Sequence, residues 1–129
     1  MAWGNFVLDV GFDASVALTK FRAVKLTAAQ TVAPVAAITD VIIGFEQFGV
    51  QTSELTRGKG ASVRVMGVTE AEASAAIAVG QLCTLETTGQ VSPLVGASGK
   101  RIVGQCVGHP ATNAGDRISL LVNVAGGLA

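Results

Sequence analysis

The chain has 129 residues, a length that fits one domain. Nine Lys and Arg balance nine Asp and Glu, which argues against a nucleic-acid binder and against a self-repelling disordered chain. Half of the residues are hydrophobic and only 14% are charged, against about 25% in ordinary domains, so assembly with other molecules is the first expectation.

Residues 1–21 read as an N-terminal arm and a first strand. Residues 1–6 lack the basic and apolar regions of a signal peptide. No run approaches the roughly 18 apolar residues of a membrane span, and the longest, 32–38, contains Pro34. The expectation is a protein made in a cytoplasm, with no membrane partner. Trp3, Phe6, Leu8 and Phe12 are interleaved with Gly4 and Gly11. Two readings stand side by side: a strand tucked into the domain's own core, or an arm whose aromatics anchor on a neighbouring subunit.

From residue 22 onward the chain repeats itself. Leu26, Val32 and Pro34 return 59 residues later as Leu85, Val91 and Pro93. Ile42-Ile43-Gly44 returns 60 residues later as Ile102-Val103-Gly104, and segment 58–65 returns 57 residues later as 115–122. Three matches in one order at nearly constant spacing define two copies of a unit, 22–68 and 81–124. On this reading residues 1–13 have no counterpart in the second copy.

Each unit reads as strands. A hairpin, turning at Gly89-Gln90 in the second copy, is closed by Pro34 or Pro93, since proline cannot donate to a ladder. In the last strand Ile118, Leu120, Val122 and Val124 alternate with Ser119, Leu121 and Asn123, which predicts one face in a core. Val63 and Val65 hold the equivalent place in the first copy. Between the copies, 69–80 reads as a connector. Thr69 and Glu72 have capping-box spacing and Gly80 is a stop, predicting a two-turn helix near 70–78, with an ordered loop as the alternative at so short a length. The fold class is mainly β: a compact barrel- or sandwich-like domain over 1–129, built from two internal repeats, with 125–129 as a tail.

No pattern supplies an active site, a metal site or a cofactor site. Cys83 and Cys106 sit on strand-like segments and read as reduced core residues. Glu70 and Glu72 are the nearest acids, and two residues apart on a helix they face different ways. His109 lies in a loop, with no Gly-x-Ser-x-Gly elbow in the chain. Segment 96–101, Gly-Ala-Ser-Gly-Lys-Arg, lacks phosphate-loop spacing and leads into a strand, so it reads as a surface turn. Arg57 and Lys59 occupy the similar tip of the first copy. These two and Lys100 and Arg101 are candidates for contact with an acidic patch on a partner.

The succession of a hairpin ending in Val-x-Pro, then Ile/Val-x-Gly, an Ala/Gly-rich loop and Gly-x-x-x-Ser-hydrophobic-x-Val resembles the capsid decoration, or cement, proteins of tailed bacteriophages. Residues 80–91 and 102–124 carry the resemblance, which spans most of 22–124. The motifs are β-turn signatures of a general kind, and the arm with Trp3 and Phe6 has no place in the family pattern. The resemblance implies a homotrimer on the outer surface of a phage head, clamping neighbouring major capsid protein subunits, located in the virion after synthesis in the host cytoplasm. It carries no catalytic residues. A protein that binds only the expanded shell stabilises it by mass action, and a trimer multiplies the effect through avidity. The candidate capsid or trimer contacts are Trp3, Phe6, Leu8, Phe12, Arg57, Lys59, Lys100 and Arg101. Two other readings stay open: another β-rich virion part, such as a tail tube or head–tail connector component, and a small-ligand-binding β-barrel serving as an accessory subunit.

Overall fold

A computed structural model describes residues 6–129; Trp3, with the rest of 1–5, lies outside the described residues. The protein is mainly β, as the alternation and turn residues predict. Strands β1 (Leu8–Ala14), β2 (Ala23–Ala28), β3 (Thr31–Pro34), β4 (Gly44–Glu46) and β5 (Ala61–Met66) close into a barrel in the order β1-β3-β2-β4-β5. Strands β6 (Val68–Glu72), β7 (Leu82–Leu85), β8 (Val91–Pro93), β9 (Ile102–Cys106) and β10 (Arg117–Val122) form a second sheet in the order β6-β10-β9-β7-β8. Its two outer strands approach each other where Ala73 bridges Val91 in parallel.

The two units share one plan. β2–β3 and β7–β8 are the repeated hairpins, with left-handed turn residues at Gln30 (φ 56°) and Gly89 (φ 84°). The plan also reaches further than the repeats read from sequence. β1 pairs antiparallel with β5 and parallel with β3; β6 pairs antiparallel with β10, and the chain just beyond it bridges β8 in parallel. The N-terminal segment therefore does have a counterpart in the second copy, and that counterpart lies in the supposed connector. Asp13-Ala14-Ser15 and Ala17-Leu18 against Glu72-Ala73-Ser74 and Ala76-Ile77 keep the 59-residue spacing there, a run that begins only where the two strands end.

The helix expected near 70–78 is absent, because residues 68–72 are strand β6. Thr69 and Ala71 point into the core while Glu70 faces out, a period of two that pairing with β10 imposes over the local capping-box pattern. A single helical turn, α1 (Thr52–Leu55), occurs elsewhere, where the Glu54 carboxylate accepts the Gln51 N–H at 2.9 Å.

Two apolar clusters fill the interior. Leu18, Val24, Val32, Val50, Ala61 and Val63 pack inside the first barrel. The larger cluster joins Cys83, Leu85, Val103, Ile118 and Leu120 of the second sheet to Ala23, Val35, Ile42 and Phe45 of the first unit. Val63, Ile118 and Leu120 are buried as expected, whereas Val65, Val122 and Val124 are half-buried, the last two where β10 runs out. At the junction Phe21 holds a left-handed backbone (φ 64°) that costs a non-glycine residue energy. Its carbonyl accepts the Glu72 N–H (2.9 Å), and its ring lies under the Arg117 guanidinium, 4.6 Å away.

Candidate interaction surfaces

The pleat puts one row of side chains on the outer face of each unit. In the second sheet the row runs Val68, Leu121, Gln105, Leu82 across β6, β10, β9 and β7. In the first barrel the same strand order carries Asp9, Arg64, Phe45 and Ala23. The first row is pinned and covered. Arg64 grips the Asp9 carboxylate with two hydrogen bonds (2.7 and 3.0 Å), and Phe45 is 0% exposed under the second unit. The second row faces solvent. Leu82 and Leu121 are exposed, and with Met66, Ile102 and Gln105 they line a groove of about 390 Å³.

The N-terminal strand runs to the edge of this groove. Leu8 pairs with Met66, one of its walls, and Phe6 just before it is 94% exposed. Phe12, further along β1, packs half-buried on the core of the first barrel. The four aromatic and aliphatic candidates thus divide: Phe12 belongs to the protein's own packing, Phe6 and Leu8 to its surface, and Trp3 lies outside the described residues. Met66, Leu82 and Leu121 were not among the candidates, although Leu121 stands on the solvent side of the alternation read from sequence.

Three of the four basic candidates are engaged within the chain. Lys59 pairs with Glu54 (2.9 Å) and Lys100 with Glu86. The Arg101 guanidinium donates to the carbonyls of Thr39 (2.8 Å), Asp40 (3.2 Å) and Gly126 (3.1 Å), tying the tail to the first unit. Arg57 is exposed. Backbone N–H groups of Ala36 and Ala37, with Lys25, hold the Asp40 carboxyl below its usual range, and Arg64 does the same for Asp9.

The groups that could carry chemistry are dispersed. Burial pushes the Cys83 thiol up to about 12, so it is an inert core residue. His109 is exposed in its loop. Among the described residues no group of three or more His, Cys, Asp or Glu is placed to hold a metal ion. One buried acid has no sequence signal: Glu46, inside the first barrel opposite Val63, is 0% exposed. Its Oε1 accepts the N–H groups of Gln47 (2.9 Å), Phe48 (3.1 Å) and Ser62 (3.2 Å), while Oε2 has no hydrogen-bond partner.

Fold and surfaces together define a β protein of two tandem units with an exposed apolar row on the second sheet and, among the described residues, no cluster of His, Cys, Asp or Glu placed to hold a metal ion. The fold is similar to that of the N base of head fiber gp8.5 in bacteriophage phi29, with a TM-score of 0.66 at 15% identity over 94% of this chain and 98% of that one. No protein-family model and no curated protein sequence matches the chain.

Proposed function

We propose that this protein is a structural virion component, a decoration or cement protein that seats as a homotrimer on the outside of a phage head, contacts the major capsid protein and strengthens the shell. The observation that carries the reading is the near end-to-end likeness in fold to the base of a phage head fiber. The bare row of Leu82 and Leu121, with Phe6 and Leu8 beside it, supports the reading, because an exposed apolar patch on a protein with few charges is a place for a partner. No catalytic step and no cofactor belong to this function. The filled interior of the first barrel weighs against a small-ligand carrier, whose pocket would have to occupy that space.

Shells expanded in vitro, mixed with the purified protein and pelleted, provide the test. The protein should co-sediment at a saturable ratio and raise the temperature at which shells rupture. Deleting residues 1–6, which leaves β1 intact, should keep the domain folded and weaken binding. A protein absent from purified virions of its source and unable to pellet with shells would overturn the reading.

A further inference from the structure

Inside the chain, one face of the first barrel is already buried in a protein–protein junction. Ala23, Val35, Ile42 and Phe45 are buried in the cluster that fills the second sheet. The seat that receives them includes Ala71, Ala73, Leu85 and Gly89, all buried. The Ala23 N–H donates to the Gly89 carbonyl (2.9 Å), and Arg22 pairs with Glu72 (2.7 Å).

Each half of this junction recurs in the chain without a second unit on it, although Phe12 and Ala14 of the one pack partly on the first barrel's own core and Ile102 of the other donates its N–H to the Gly127 carbonyl of the tail (2.8 Å). By strand register and repeat spacing, the face maps onto Leu82, Leu94, Ile102 and Gln105 of the second sheet. There Leu82 is 42% exposed and the other three are half-buried. The seat maps onto Phe12, Ala14, Leu26 and Gln30 of the first barrel. Leu26 is 49% exposed where Leu85 is 0%, and Gln30 is exposed where Gly89 is buried. Arg22 and Glu72 map onto Gln81 and Asp13, again a donor and a carboxylate. The chain thus carries an unused face at one end and an unused seat at the other, on the scaffold that joins its own two units.

We propose that copies of this chain associate head to tail, the face of Leu82, Ile102 and Gln105 of one copy seating on the end formed by Phe12, Leu26 and Gln30 in the next. Face and seat are different surfaces, so the contact is heterologous and propagates until it closes into a ring. The stoichiometry rests on the trimer of the proposed function: three copies joined in this way form a ring of six units.

The test is a directed cross-link. Leu82→Cys combined with Gln30→Cys reproduces across copies the Ala23–Gly89 approach. The oxidised double variant should run on a denaturing gel as linked species up to the trimer, and neither single variant should cross-link. Leu82→Glu damages only the face and Leu26→Glu only the seat. Each alone should lower the mass in light scattering about threefold with the circular dichroism spectrum unchanged. Mixed, the two should form a dimer, since one sound junction remains between them. A monomeric wild-type chain, a mixture that stays monomeric, or a Leu82→Cys single variant that links to itself through a two-fold contact would overturn the inference. So would a trimer whose double variant does not cross-link. Shell binding is a separate readout: its loss with the cross-link intact would sink the decoration reading and leave the junction standing.

Discussion

The first barrel and the second sheet are two versions of one plan that put the same outer row to opposite uses. In the first, Phe45 and Ala23 are sealed under the other unit and Arg64 is clamped to Asp9. In the second, Gln105, Leu82 and Leu121 hold the equivalent places and face solvent. Interiors differ as well: Glu46 fills the first barrel at the position where Cys106 fills the second sheet. A duplicated scaffold conserves its backbone bonding pattern, because every buried N–H and C=O must be paired. Side chains on its faces are then free to answer whatever covers them. Equivalent positions therefore report separately on internal packing and on surfaces kept for partners.

The sharpest way to break the comparison is to truncate both members of one pair. Phe45→Ala should destabilise by about 3–5 kcal/mol, since it opens a cavity in the junction. Gln105→Ala should cost about 1 kcal/mol or less, mainly its 2.9 Å hydrogen bond to the Gly80 carbonyl. Urea unfolding of the two variants measures the contrast, and equal losses would mean that the rows are not used differently. Next is the interior pair. Glu46→Ala removes the side-chain acceptor of the Phe48 and Ser62 N–H groups, while the Gln47 N–H keeps the Ser62 carbonyl, and should lose about 1–3 kcal/mol; Glu46→Gln keeps an acceptor for them and should stay within about 1 kcal/mol of wild type.

Where the units agree, their variants should agree. A Cβ on Gly44 would lie 2.3 Å from the Arg64 carbonyl oxygen, and on Gly104 it would lie 2.2 Å from that of Leu121. Gly44→Ala and Gly104→Ala should each cost about 1–3 kcal/mol by forcing paired strands apart, with similar drops in melting temperature. The smallest effect is acid-dependent; Asp116 and Glu86 of the second unit are also held low, and the first unit's share rests on two aspartates. Asp40, held low by the Ala36 and Ala37 amides, and Asp9, held low by Arg64, release protons more readily folded than unfolded. Their contribution is complete above the ordinary value near 3.8 and is lost as pH falls through the lower native values. Unfolding free energy should be level from pH 7 to about pH 5 and fall below about pH 4, and Asp40→Asn should flatten part of that acid limb.

The sequence by itself determined the β class, the hairpins closed by Pro34 and Pro93, and the equivalence of the last strands of the two units. These rest on local rules, the pleat period and turn chemistry, which act within a few residues and recur at nearly constant spacing. It also marked the solvent-facing side of β10, Leu121 included. Only tertiary structure decided that β1 and β6 are counterparts, because strand pairing across a barrel constrains backbone registers rather than side-chain identities. For the same reason the capping-box spacing at Thr69 and Glu72 yielded to pairing with β10. The engagement of Lys59, Lys100 and Arg101 likewise depends on acids and carbonyls brought close by the fold, the last two across at least 14 residues of chain. Most of all, Leu26 and Leu85, or Ala23 and Leu82, look alike in the repeat, and which of each pair is covered depends on where the other unit lies. Burial is a property of the assembled whole, and it separates the faces the chain uses on itself from those it leaves open.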